Sequence, residues 1–358
     1  MMRSLLPVVL GALGAIGLSA AARAGVAGPE LPGTRPLGMG NAFVAVADDR
    51  NALYYNPAGL GRLNGTHVAG LGVRGAVDDE LVTVLQFVRD HQDQFASFDS
   101  VDTQFLDELS KYDDRWVAAD ANAYVDVTRP GFGIGGFGTA RAQVKVDRGV
   151  YEPRVTESAV SDLVGVVGGA MPLGRFDLAL GGTLKAIWRR ESLRVITARE
   201  AADFDFNQIA DDLQGAEPGF SMDLGALWTK SPAWSAGAVL HDGAGWIGGR
   251  RIHSALDLGS AWQPLRRESG LLRGLLFAAD LDDVGGGSAF GKQICFGTEA
   301  RLPLVSVRGG AHQGYGTAGA SLALPGLRLD YAYWGRELGG IPGAEAQFLH
   351  TLELRIGT

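Results

Sequence analysis

The sequence contains one cysteine, Cys295, in 358 residues. That excludes an internal disulfide and any metal or iron–sulfur centre built from several cysteines. Charge is also scarce: charged residues make up 20% of the chain, and acid outweighs base for a formal net charge of −8. A nucleic-acid partner would require clustered Lys and Arg, so that class is excluded too. Beyond the N-terminal segment there is no run long and apolar enough for a membrane helix. Catalytic signatures are missing as well, with no HExxH, no GxSxG and six histidines without ligand spacing. The residues point to no enzyme, no cofactor and no metal.

Two apparent nucleotide motifs do not survive their context. Gly131-Phe132-Gly133-Ile134-Gly135-Gly136 matches GxGxxG, but it sits in a strand pattern with no helix to receive a pyrophosphate. Gly286 to Lys292 resembles a phosphate loop, yet Gln293 stands where Ser or Thr should hold magnesium.

What is abundant is glycine, 53 residues in all, about twice the roughly 7% of ordinary proteins. The N-terminus has the pattern of a secretory signal: Arg3, an apolar stretch from Leu5 to Ala20, and the small-x-small site Ala22-Arg23-Ala24. Cleavage is expected after Ala24. An uncleaved anchor is the rival, but Pro7, Gly11, Gly14 and Gly17 interrupt the segment. An exported chain without a membrane helix can reside in a membrane only as a β-barrel.

Period-two alternation dominates from Gly65 onward. Near residue 180, Leu178, Leu180, Leu184 and Trp188 share one face, and Asp177, Thr183 and Lys185 the other. About fourteen such stretches are expected, at 65–74, 118–128, 131–145, 159–171, 175–188, 219–229, 232–241, 253–263, 273–282, 290–301, 304–312, 316–324, 326–336 and 346–356. Most suit the roughly 9–11 residues of a tilted transmembrane strand. Short turns such as Arg129-Pro130 and Leu302-Pro303 alternate strictly with longer connections, which include 75–117 and 189–218. Alternating connections place the two kinds at opposite ends of a barrel. Phe132, Phe176, Trp228, Trp234 and Trp262 fall near the short-turn end, and Trp188, Phe220, Tyr333 and Trp334 near the other, as two interfacial girdles. The long connections carry amphipathic helices around Leu81–Val88, Phe105–Leu109 and 200–213, able to pack over the barrel mouth or to form an apolar cap for a greasy ligand.

The inward parity carries the charges: Asp120, Asp126, Arg141, Lys145, Asp177, Lys185, Asp223, Asp257, Asp280, Asp282, Glu299, Arg301, Arg308, Arg328, Asp330, Glu353 and Arg355. On a lipid face each would cost a few kcal/mol near the bilayer midplane, so their shared parity predicts a polar lumen. Glycines 133, 135, 181, 225, 237, 259, 297 and 319 also point inward and leave room for a plug.

The plug is expected over residues 25–64, ahead of a barrel over 65–358. Within it lie Gly38, Gly40, Asp48, Asp49, Arg50, Tyr54, Tyr55, Asn56, Pro57 and Gly59. An acidic cap at Asp48 or Asp49 and a stop at Asn56-Pro57 account for a short helix between them. Architecture and ligand contact both remain open for these residues, and Arg50 with Asp48 and Asp49 is placed to meet the charged wall.

The run from Arg35 to Leu63, with Gly38-Met39-Gly40, Ala47-Asp48-Asp49 and Tyr55-Asn56-Pro57-Ala58-Gly59-Leu60, resembles the N-terminal signature of the FadL-like outer-membrane barrel superfamily. The resemblance implies an all-β, fourteen-stranded transmembrane barrel with an N-terminal hatch in its lumen. It implies residence in outer-membrane lipid and passive uptake of hydrophobic small molecules such as long-chain fatty acids. The alternative within the same superfamily is a PorV- or TraF-type accessory barrel that docks secretion or conjugation proteins and transports nothing. One departure is the C-terminus, where such barrels commonly carry an aromatic residue and this sequence ends Ile356-Gly357-Thr358.

Overall fold

The computed structural model describes residues 26–91, 94, 103–113, 115–147, 154–197, 215–267 and 269–357. The signal-peptide segment and the helix expected over 200–213 lie outside the described residues. The strands are β1 His67–Asp78, β2 Arg115–Arg129, β3 Phe132–Asp147, β4 Arg154–Leu173, β5 Leu178–Thr197, β6 Glu217–Ser231, β7 Trp234–Ile247, β8 Arg250–Arg251, β9 Ala255–Arg266, β10 Gly274–Leu281, β11 Ile294–Arg301, β12 Val305–His312, β13 Tyr315–Leu324, β14 Leu327–Glu337 and β15 Ala346–Gly357. Apart from β8, every strand pairs antiparallel with its neighbours in order, and β1 closes the sheet on β15. The short β8 pairs only with the end of β7. The result is a closed fourteen-strand antiparallel barrel with one strand outside it.

Burial along the strands is the inverse of a soluble protein. Leu163, Leu184, Trp188, Phe220 and Leu352 are exposed, whereas Thr183, Lys185, Ser221, Asp223, Thr351 and Glu353 are buried. An apolar exterior around a polar interior is the pattern a bilayer selects. Closure also leaves no edge strand with unpaired backbone groups in lipid.

Four expectations need correction. First, β4 and β5 are 20 residues each and pair without a break from Arg154↔Thr197 to Leu173↔Leu178. Residues 189–197 are therefore strand and not loop. Arg189, Arg190, Glu191 and Arg194 make that stretch polar on both faces, so pairing continues where the alternation has faded. Second, Asp177 is not a lumen charge. It follows the 3-10 turn Gly174–Phe176 in a left-handed conformation (φ 54°) and is exposed, because β5 begins one residue later. Third, short and long connections do not alternate strictly. His312 and Tyr315 are joined on the long-loop side by Gln313 (φ 53°) and Gly314 (φ 90°), the two positive φ angles of a tight hairpin turn. Fourth, Trp334 is buried and donates from Nε1 to Thr351 Oγ1 at 2.9 Å. It shares the inward parity of Asp330 and so leaves the outer girdle.

Of the other aromatics, Phe132, Trp228, Trp234 and Trp262 are exposed on the outer face toward one end, with Phe176 in the turn before β5. Trp188 and Phe220 are exposed toward the other, and Tyr333 there is half-buried and stacked on Phe348 at 5.7 Å. Two loop helices, α3 (Leu81–Asp90) and α4 (Thr103–Leu109), bury Val84, Phe87, Phe105 and Leu109 against Val117 and Val146. Val117 and Val146 carry the outward parity of β2 and β3. The helix pair thus satisfies its apolar stripe against the outer wall beside the rim.

The main core lies inside the barrel. Met39, Ala42, Phe43, Ala47, Ala52, Leu53 and Leu60 are fully buried and pack against wall residues including Tyr124, Phe137, Val164, Ile187 and Leu276. The wall makes space by omitting side chains. A Cβ on Gly225 would sit 2.1 Å from Asn56 Oδ1, and one on Gly181 would sit 2.4 Å from the backbone at Pro57–Ala58. Gly225→Val therefore cannot coexist with the seated segment and should cost about 1–3 kcal/mol in overpacking. Denaturant unfolding in detergent, followed by heat-modifiable migration, measures this. Gly75→Val, where a Cβ meets nothing, should leave the midpoint unchanged.

Candidate functional site: the plug and its charged seat

Residues 26–66 precede β1, and their backbone is ordered by short local elements. These are α1 (Thr34–Gly38), α2 (Ala52–Tyr55) and a 3-10 turn over Pro57–Arg62. Asp49 Oδ1 accepts from Asn51 N at 2.8 Å and shapes the entry to α2. Asn56 ends α2 in an extended conformation, and its Oδ1 accepts from Ala58 N at 3.1 Å to cap the following turn. Pro57 at the first position of that turn has no N–H to lose. Asn56 also donates from Nδ2 to Val44 O at 2.8 Å and to Ala226 O of the wall at 3.3 Å. Gly40 is left-handed (φ 60°), and a Cβ there would lie 2.3 Å from Phe296 O of β11. Gly38 lies against Gly319 of β13, where a Cβ would be 3.1 Å from the Gly319 Cα. Gly59 presses on Ala47 inside the segment itself.

The polar seat is organised around Arg35. Its guanidinium bonds Glu299 through Nε and Nη2 at 2.8 and 3.0 Å, and Asp48 and Asp49 through Nη1 at 2.6 and 2.7 Å. Glu299 also accepts from Arg308 at 2.7 Å and from Arg301, and Arg301 returns to Asp48 at 2.9 Å. Arg308 and Arg328 then reach Asp330 at 3.3 and 2.7 Å. Four guanidiniums meet four carboxylates, so the buried charge is balanced within the cluster. Burial alone would raise the Asp48 carboxyl, but Arg35 and Arg301 hold it well below the usual carboxylate range.

A second anchor holds the middle of the plug. Arg50 donates from Nε to Asp126 Oδ2 at 2.9 Å and lies 4.0 Å above the Tyr124 ring. Tyr54 donates to the same carboxylate at 3.0 Å. Glu353 accepts from Tyr124 and, at 2.8 Å, from Thr34 N. Tyr55 packs edge-on against Phe43, with ring centroids 5.5 Å apart.

Of the remaining lumen charges, Arg141 bonds both Asp120 of the wall, at 2.8 Å, and Glu30 of the plug. Lys185 bonds Asp223 and Asp242 at 2.9 and 3.2 Å, and Arg355 is half-buried on the inward face of β15. Lys292, the residue of the apparent phosphate loop, donates to Glu337 O and Gly339 O and braces a connection.

Several residues of the site escape sequence reasoning. Arg35 opens the signature run but carries no periodic signal, since its partners are distant in sequence. Arg189 bonds Asp162 twice at 2.7 Å, yet one lies beyond the expected end of its strand and the other in the stretch with weak alternation. Arg74 reaches Glu30 at 2.7 Å.

On the long-loop side of the plug the lumen opens into a cavity of about 500 Å³, lined by Arg74, Asp120, Arg141, Asp162, Arg189, His241 and Arg336 among others. It is a vestibule of charged side chains interspersed with apolar ones such as Leu31, Leu37, Val44 and Val160, closed at its base by the plug.

Arg50→Ala would leave Asp126 buried without its cation, a loss of about 3–5 kcal/mol for a broken buried pair, readable as a lower denaturant midpoint in detergent. Because the carboxyl of Asp48 is depressed in the fold, its stabilising contribution is complete above about pH 4 and erodes as pH falls toward the folded value. Hydrogen exchange of the amides at 34–60, corrected for intrinsic rate, should show equal protection at pH 7 and pH 5. Protection should decline below about pH 4.

No protein-family model matches the chain, and no curated protein matches it in sequence. Solved structures do match in shape. The toluene transporter TodX of Pseudomonas putida superposes with a TM-score of 0.55 at 12% identity, covering 93% of this chain and 98% of that one. The toluene transporter TbuX of Ralstonia pickettii gives 0.52 at 13% identity, covering 92% and 98%. The monoaromatic hydrocarbon channel CymD gives 0.52 at 12% identity, covering 91% and 97%. The barrel is thus of the outer-membrane hydrocarbon-channel fold, the fold that the resemblance of Arg35–Leu63 to the FadL-like signature implies.

Proposed function

We propose that the protein is an outer-membrane barrel for passive entry of hydrophobic small molecules, with the plug as its barrier. The observation that carries this reading is the near-complete coverage by which the fold matches toluene and monoaromatic hydrocarbon channels. The plug residues Gly38, Gly40, Asp48, Asp49, Arg50, Tyr54, Tyr55, Asn56, Pro57 and Gly59 are assigned a gating role on this reading. Their hydrogen bonds and ion pairs are what must break or slide for the lumen to open. No nucleophile or acid–base pair is needed for passive entry, so the function is not enzymatic.

A second reading has its own support. The vestibule is lined by Arg74, Asp120, Arg141, Asp162, Arg189 and Arg336, more charged groups than the few that orient a ligand in a small-molecule pocket. That observation favours an accessory barrel that docks secretion or conjugation proteins.

Uptake separates the two. A strain lacking the protein should take up toluene and long-chain fatty acids more slowly, and plasmid-borne protein should restore the rate. Equal uptake with and without the protein would remove the transport reading. Asp49→Ala, which takes one carboxylate from Arg35, should raise entry of small antibiotics severalfold. Unchanged antibiotic sensitivity and unchanged detergent stability would remove the gating role.

A further inference from the structure

One sector of the lumen does not share the charge balance of the plug seat. Asp257 of β9, Asp280 of β10 and Asp282 just beyond β10 have no Lys or Arg paired with them among the described residues. Asp257 has His241 at 3.6 Å. Asp280 accepts from Val44 N at 2.8 Å through Oδ2, while its buried Oδ1 has no hydrogen-bond partner. Buried carboxylates are normally paired with cations or coordinate metals.

Soft and borderline donors converge on the same sector. Cys295 of β11 pairs across the ladder with His312 of β12 on one side and Asp280 on the other. A carboxylate oxygen of Asp282, the Cys295 sulfur and a ring nitrogen of His312 lie within 4.8 Å of one another. Cys295 Sγ is 3.1 Å from Asp282 Oδ2. His312 Nδ1 is 3.2 Å from Gly335 O. With its proton on that nitrogen and held by the Gly335 carbonyl, the free lone pair is on Nε2, as in a metal-ligating histidine. Asp282 and His312 both face the vestibule.

We propose that Asp282, Cys295 and His312 bind a single divalent transition-metal ion of the zinc class inside the lumen. A thiolate, an imidazole and a carboxylate select zinc-like cations over magnesium or calcium, which prefer all-oxygen shells. Three protein donors leave the fourth tetrahedral position toward the vestibule. The plug borders the cluster: Asn41, left-handed at φ 61°, donates from Nδ2 to Asp282 Oδ2 at 3.4 Å. The ion would therefore sit between the wall and the plug, and coordination releases the thiol proton of Cys295 to solvent. Sequence spacing conceals the site, because hairpin register and not a local motif unites the three donors.

The test is a Co(II) titration of the intact protein in detergent, with a phosphine reductant. Wild type should bind one Co(II) with a thiolate-to-cobalt charge-transfer band, and Zn(II) should abolish the band by displacement while Mg(II) should not. Cys295 is the only cysteine of the chain, so a thiolate band can arise from no other residue. Cys295→Ser should lose the band, and Asp282→Asn and His312→Ala should each weaken binding about tenfold or more. Foldedness of each variant is verified by heat-modifiable migration. No band in wild type, a band that Mg(II) removes as readily as Zn(II), or folded donor variants that bind Co(II) as tightly as wild type would overturn the proposal.

Discussion

The structure depends on neutralising charge that barrel closure and the seated plug bury inside the lumen. A barrel in lipid must put its polar side chains inward, which gathers Asp126, Glu299, Asp330 and Glu353 where isolated charges are costly. Arg35 and Arg50 answer that cost from the plug, and Arg301, Arg308 and Arg328 answer it from the wall. Plug and wall therefore stabilise each other: neither has a balanced set of charges without its counterpart. Buried pairs of this kind specify one geometry more firmly than apolar packing does, because a bidentate guanidinium tolerates little displacement.

Shape complements charge. Outer strands contribute bulk to the lipid face and glycine to the inner face, so the plug backbone can approach the wall at Gly181, Gly225, Gly297 and Gly310. The plug is too short to fold alone, and its fully buried Met39, Phe43, Leu53 and Leu60 acquire a core only inside the barrel. Above it the ion pairs continue into the vestibule, where Arg74, Arg141 and Arg189 meet Glu30, Asp120 and Asp162.

The strands were legible because alternation is a direct image of the two solvents. Asp223 and Lys185 against Leu184 and Leu224 is a pattern only a lipid-facing wall requires. Where the physics changed, the reading failed. Past Trp188, β5 carries Arg189 and Glu191 on one face and Arg190 and Arg194 on the other, alternation disappears, and the strand extension to Arg154 and Thr197 left no mark. Asp177 had the correct parity but one residue too few of strand beneath it. Trp334 was drawn outward by its aromatic character, although its parity with Asp330 placed it inside.

The sequence by itself determined the inside and the outside of the barrel, because parity is a local, two-residue property. It also determined where the plug turns, because Asn56-Pro57 and the glycines act on their own backbone. Only the tertiary structure decided which charges meet. Arg35 and Glu299 are 264 positions apart, Arg50 and Asp126 76 apart, and Cys295 finds His312 through hairpin register. Partners at such distances are chosen by closure of the sheet and the seating of the plug, and no local pattern in the chain records that choice.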